Sequence, residues 1–237
     1  MSNLDQNLST SGAIGRGTAA VDAGLRNYMM RIYNYMAAGV GLTAVAAWLT
    51  HQLTGPALLQ SPLMWVFILA PLALVFFIGT RINTLSASTA RLLFFVYAAL
   101  VGVSLSTLFH IYTSASITRV FFISAATFGA LSVFGYTTRR DLSGLGTFLF
   151  MGLIGVIIAS LVNIFLRSTG LDWLISIVGV GVFAGLTAYD TQRIKAMYDA
   201  GDDETSAGRK SVISALSLYL NFINLFTMML RLLGGRR

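Results

Sequence analysis

Gly146-Thr-Phe-Leu-Phe-Met-Gly-Leu-Ile-Gly-Val-Ile-Ile-Ala-Ser-Leu-Val-Asn-Ile-Phe-Leu166 contains no Asp, Glu, Lys or Arg. As a helix rising about 1.5 Å per residue, it covers the ~30 Å of hydrocarbon in a bilayer. A membrane strand needs only about ten residues and alternates in polarity; this run is longer and does not alternate. In lipid every peptide group must be satisfied internally, which an isolated helix does. Outward from this run lie similar ones at 29–50, 62–80, 92–111, 119–137, 172–190 and 211–233. The expected fold is an all-α integral membrane protein with seven transmembrane helices.

The composition agrees. Hydrophobic residues make up 56% of the 237 and charged residues 11%, against about a quarter charged in soluble domains. Too few charges remain to keep a folded surface in water. There are no cysteines, which excludes disulfides, thiolate metal sites and a cysteine nucleophile. Residues 1–27 are polar and lack an apolar stretch behind a basic start, so no cleavable signal peptide is expected. They read as a mostly disordered cytoplasmic tail, ending in a short interfacial helix around Leu25–Ile32. Residues 28–234 form the membrane domain, and 191–210 a charged loop between the sixth and seventh helices.

The net charge is +7, but the basic residues fill short gaps between apolar runs. That pattern signals topology, not nucleic-acid binding. Arg16, Arg26, Arg31, Arg81, Arg91, Arg139, Arg140, Arg193, Lys195, Arg209 and Lys210 fall on one side; Arg119 and Arg167 fall on the other. The positive-inside rule therefore places the N-terminus in the cytoplasm. Arg231, Arg236 and Arg237 break the pattern, so the last run either crosses against the bias or re-enters; seven crossings are favoured. Ser86-Ala-Ser-Thr-Ala-Arg91 and Ser114-Ala-Ser-Ile-Thr-Arg119 echo one another and read as two capped helix starts.

Function is sought where burial is costly, because charged groups in membrane helices usually face the bundle interior or a watery path. Asp190 ends the sixth run, before Thr191-Gln192-Arg193. It is either an interfacial carboxylate paired with Arg193 or an inward-facing group on an ion or proton path. Low dielectric disfavours a charged carboxylate, which makes such a group a candidate proton sensor. Asn221 lies mid-run in the last helix, on a face with Asn224, Ser217 and Ser214. It is interhelical glue, worth about 0.6 kcal/mol per bond, or part of the site. Arg81 is a snorkelling interfacial residue or the counter-ion of Asp190. Gly181 and Gly185 form a small-residue pair suited to close helix packing. His51 and His110 lie at run ends, without metal-ligand spacing. The acidic stretch Asp199–Glu204 reads as a solvated turn, lacking a calcium-loop pattern.

Phe183-Ala-Gly-Leu-Thr-Ala-Tyr-Asp-Thr-Gln-Arg-Ile194 and Ala215-Leu-Ser-Leu-Tyr-Leu-Asn-Phe-Ile-Asn-Leu-Phe226 resemble the two C-terminal signatures of the Bax inhibitor family. Phe121–Ala130, Gly135-Tyr-Thr137 and Asp141-Leu-Ser-Gly144 resemble its bacterial branch. The resemblance covers roughly residues 25–234. It implies a last helix surrounded by the other six, in a bacterial inner membrane. It also implies a pH-sensitive calcium leak, whose sensor is a pair of aspartates between helices six and seven, with an arginine of helix two as alternative partner. Asp190 matches the first aspartate, Arg81 the arginine, and Arg231 a basic residue that latches the pore. The second aspartate is here Asn221. An Asn cannot ionise, yet its amide can donate to Asp190, so weakened gating and a weaker cation site are expected.

Calcium enters as the transported ion, with Asp190 as its candidate ligand, and no cofactor is expected. The alternative reading is an interaction protein that modulates a membrane protease or stress-response complex. A secondary transporter fits poorly with an odd helix count. An enzyme is not expected: an intramembrane aspartyl protease needs a second membrane aspartate, and neither HExxH nor GxSxG occurs.

Overall fold

The computed structural model describes residues 3–55, 61–82 and 84–236, with side chains from residue 21 onward. Its helices are α1 (Asn3–Thr54), α2 (Leu63–Arg81), α3 (Ala87–Leu105), α4 (Ser114–Thr137), α5 (Ser143–Leu166), α6 (Thr169–Ala196) and α7 (Glu204–Leu233), with a short turn Leu108–Ile111 after α3. Among the described residues, seven helices are long and apolar enough to cross a membrane.

The helices begin where a hydroxyl or carboxylate can take the orphan amides of the first turn. Ser86 accepts from the Thr89 amide, Ser168 from Leu171, and Asp203 from Thr205 and Ser206. The echoed motifs both start helices, but their register differs: in the second the cap is Thr113, one residue earlier. α5 ends at Arg167, whose φ of 49° is left-handed. There Asn163 closes the turn, its backbone oxygen accepting from Arg167 and its side chain from Ser168.

α1 begins at Asn3. From Val21 onward packing supports it. Tyr28, Met29 and Ile32 are buried, and the Tyr28 ring lies 5.6 Å from that of Tyr198.

α7 is the core. In its most apolar stretch 67% of residues are buried, against 11% in α5. It packs directly on α1, α3, α4 and α6, while α2 leans on α3 and α5 on α6. It runs unbroken from the α6–α7 loop to the far end of the bundle. There Thr113 donates its amide to Gly235, and Gly235 donates to Ser116. The last run is therefore one continuous helix long enough to cross, not a re-entrant hairpin.

Candidate functional site

α6 and α7 are consecutive and antiparallel, so the C-terminal part of α6 faces the first half and the middle of α7. Asp190 sits there, 7% exposed. Its Oδ2 accepts from Ser217 Oγ at 2.7 Å and from Asn221 Nδ2 at 2.8 Å. Its Oδ1 lies 3.7 Å from the guanidinium of Arg193, one turn on and half exposed. Ser217 and Asn221 are four apart and share a face.

Asn224 lies outside this cluster and donates to its own helix at Leu220. Arg81, an expected counter-ion, is also outside it: it ends the peripheral α2 and is exposed. Arg193 takes that position, because it is on the same helix as Asp190 whereas α2 packs on α3.

At the other end of α6, Asp172 meets the end of α7. Arg231 lies 3.2 Å from its Oδ1 and Arg236 4.0 Å from its Oδ2. The candidate latch thus has a partner invisible in the local sequence. Asp172 and Asp190 are eighteen residues apart, about 27 Å along a helix, so α6 holds the central helix at its middle and at its C-terminal end.

Close approach is set by glycines, though not by the expected pair. A Cβ on Gly185 would meet Leu149 at 2.7 Å, whereas one on Gly181 would meet nothing within 4 Å. The tightest contact beside the site is Gly135 of α4, whose Cβ would lie 2.2 Å from the Ala188 carbonyl oxygen. Spacing selected Gly181; the tighter position lies on α4 and faces α6, and spacing along one helix does not reveal it.

Two other features escaped the sequence reading. Tyr219 is fully buried, its hydroxyl 2.6 Å from Thr43 Oγ1, which reaches the backbone oxygens of Gly39 and Ala98 at 2.9 Å. This knot ties α7 to α1 and α3. His51 Nδ1 and His110 Nε2 meet at 3.3 Å, across fifty-nine positions of sequence.

Among the described residues no three His, Cys, Asp or Glu converge on a metal position. The acids of Asp199–Glu204 are spent locally: Asp202 pairs with Lys210 at 2.6 Å, and Asp203 caps α7. One carboxylate, one amide and one hydroxyl around Asp190 fall short of the six to eight oxygens of a resident calcium site.

The geometry defines a polytopic helical membrane protein whose central helix is held by one buried acid. The family model described as Inhibitor of apoptosis-promoting Bax1 matches residues 25–237. The chain is 47% identical over 220 residues to Inner membrane protein YbhL of Escherichia coli (strain K12), covering 91% of this chain and 94% of that one. It is 50% identical over 222 residues to a protein of Rickettsia prowazekii (strain Madrid E), covering 91% and 92%. It is 39% identical to a protein of Caulobacter vibrioides across the whole of both chains. The chain belongs to the Bax inhibitor family of membrane proteins.

Proposed function

We propose that this protein is a pH-sensitive leak pathway for calcium in a bacterial inner membrane, with its N-terminus in the cytoplasm. The observation that carries this reading is Asp190, an ionisable group buried between α6 and the central α7 and held by donors on α7. Proton uptake removes the charge that Ser217 and Asn221 donate to, which weakens the α6–α7 contact. Charge-assisted hydrogen bonds are roughly twice as strong as neutral ones. The Asp172–Arg231 pair holds the far end of α7, so loosening at Asp190 lets the central helix move about that end.

Calcium passes as substrate, drawn by the lone carboxylate. Sparse acids suit a slow leak better than a pore ringed by charge. Asn221 stands where the family resemblance puts a second aspartate, so no proton is shared between two carboxylates and gating is shallow. The inner-membrane assignment rests on the name of the Escherichia coli relative.

The test is calcium influx into liposomes that hold the purified protein and a trapped dye. Influx that is lost or made insensitive to pH by Asp190→Ala supports the reading. No influx from correctly folded protein transfers the assignment to an interaction protein acting on a membrane protease or stress-response complex.

A further inference from the structure

α1 and α4 both pack on α7 but not closely on each other. Between them lies a cavity of about 820 Å³ whose wall is almost wholly apolar, with Phe222 of α7 as its floor. On α1 it runs from Arg26 to Gly41, fifteen residues or about 22 Å. That is more than half of a ~30 Å hydrocarbon core. Because α4 is antiparallel to α1, Tyr136 shares the Arg26 end and Phe121 the deep end.

The polar groups of this groove gather at one mouth. Arg26 is exposed and pairs with no acid among the described residues, and Asp22 one turn earlier makes no ion pair with it. Lys195 adds charge beside the mouth, its Nζ 4.7 Å from the Tyr136 ring centroid and 2.9 Å from the Tyr136 carbonyl. One turn deeper, Ser132 is 5% exposed on the cavity wall, and its hydroxyl has no partner among the described residues. Its oxygen is itself covered, so Ser132 leaves the groove wall apolar.

We propose that this groove holds one acyl chain of an anionic membrane phospholipid. The phosphate sits on Arg26, and the alkyl chain runs past Met36 to Gly41 over Phe222. Size favours a lipid over a partner helix. The volume falls within the ~300–1,000 Å³ of small-ligand sites. A helix about 10 Å wide crossing ~30 Å encloses roughly three times as much.

The test is photolabelling of the full chain in nanodiscs, with phosphatidylglycerol carrying a diazirine in one acyl chain and the matching phosphatidylcholine probe. Gly41 and Gly129 line the cavity, and a Cβ on either meets nothing within 4 Å. The Gly41→Leu, Gly129→Leu double variant therefore puts two branched side chains into the groove from positions with room for a Cβ, and leucine is the better helix former.

Phosphatidylglycerol should label Met30 and Val133. The double variant should lower that labelling at least about tenfold, the loss expected from excluding a few buried methylenes. Labelling of Phe165, 86% exposed on α5, should not change. Arg26→Gln should cut the preference for phosphatidylglycerol about fivefold, as one interfacial cation warrants. Labelling as strong at Phe165 as in the groove, or unmoved by the leucines, would mean bulk lipid only and overturn the proposal. Equal labelling by both probes in the unmodified protein, or cross-links from the groove to a second copy, would also overturn it.

Discussion

Asp190 and Asn221 form the pair on which the functional reading turns. The amide-to-carboxylate bond expected from the two motifs is in the structure, at 2.8 Å, whereas the Arg81 partnership is not. Both motifs lie on consecutive antiparallel helices, and such pairings are legible from spacing. Arg81 sits on a helix apolar on every side, so periodicity cannot say which way it turns. Tyr219 was silent for the opposite reason: its partner Thr43 is 176 positions away. Tyr219→Phe removes the hydroxyl that meets Thr43 while Thr43 keeps its backbone acceptors. A loss of about 1 kcal/mol is expected, read as a lower melting temperature with unchanged helicity.

α6 is placed by small residues on its neighbours. Gly135→Ala drives a methyl group into the Ala188 backbone. α4 then shifts off α6 beside Asp190, with a destabilisation of about 1–3 kcal/mol. Gly181→Ala, which meets open space, is expected to be neutral or slightly stabilising. Thermal unfolding in one detergent compares the two, and equal losses would refute the packing assignment.

The start of α7 gives a pH prediction. The Asp203 carboxyl is held below the usual carboxylate range, first by the Ser206 hydroxyl and then by its amide. A lowered value means the cap contributes above the ordinary carboxyl range and is lost as pH falls through the folded value. Amide exchange in residues 204–207, corrected for intrinsic pH dependence, should speed up at acid pH in the unmodified chain. With Asp203→Asn, which still caps but does not titrate, that change should disappear. The ends of α2, α4 and α5 were legible to within five residues, whereas α1 begins far ahead of its apolar run and α6 and α7 extend six or seven residues beyond theirs; the outer turns depended on polar residues and on caps such as Thr113 that an apolar run does not mark.

At the scale of the molecule, seven crossings follow from run length and from the demand that lipid makes on the backbone. The order of the helices around α7 does not, because a side facing lipid and a side facing the core are equally apolar. The groove between α1 and α4 was illegible for the same reason. Orientation is open to direct test because the chain has no cysteines. Gly201→Cys in the α6–α7 loop should react with an impermeant thiol reagent only from the cytoplasmic face. The reverse labelling would invert the topology.

The proposed gate is tested most directly by calcium influx against pH in liposomes, comparing the unmodified protein with Asp190→Asn and Asn221→Asp, each checked for helicity by circular dichroism. The account predicts a shallow curve for the unmodified chain, a flat one for Asp190→Asn, whose side chain is fixed in the neutral form, and a steeper one for Asn221→Asp. Three superimposable curves would contradict it.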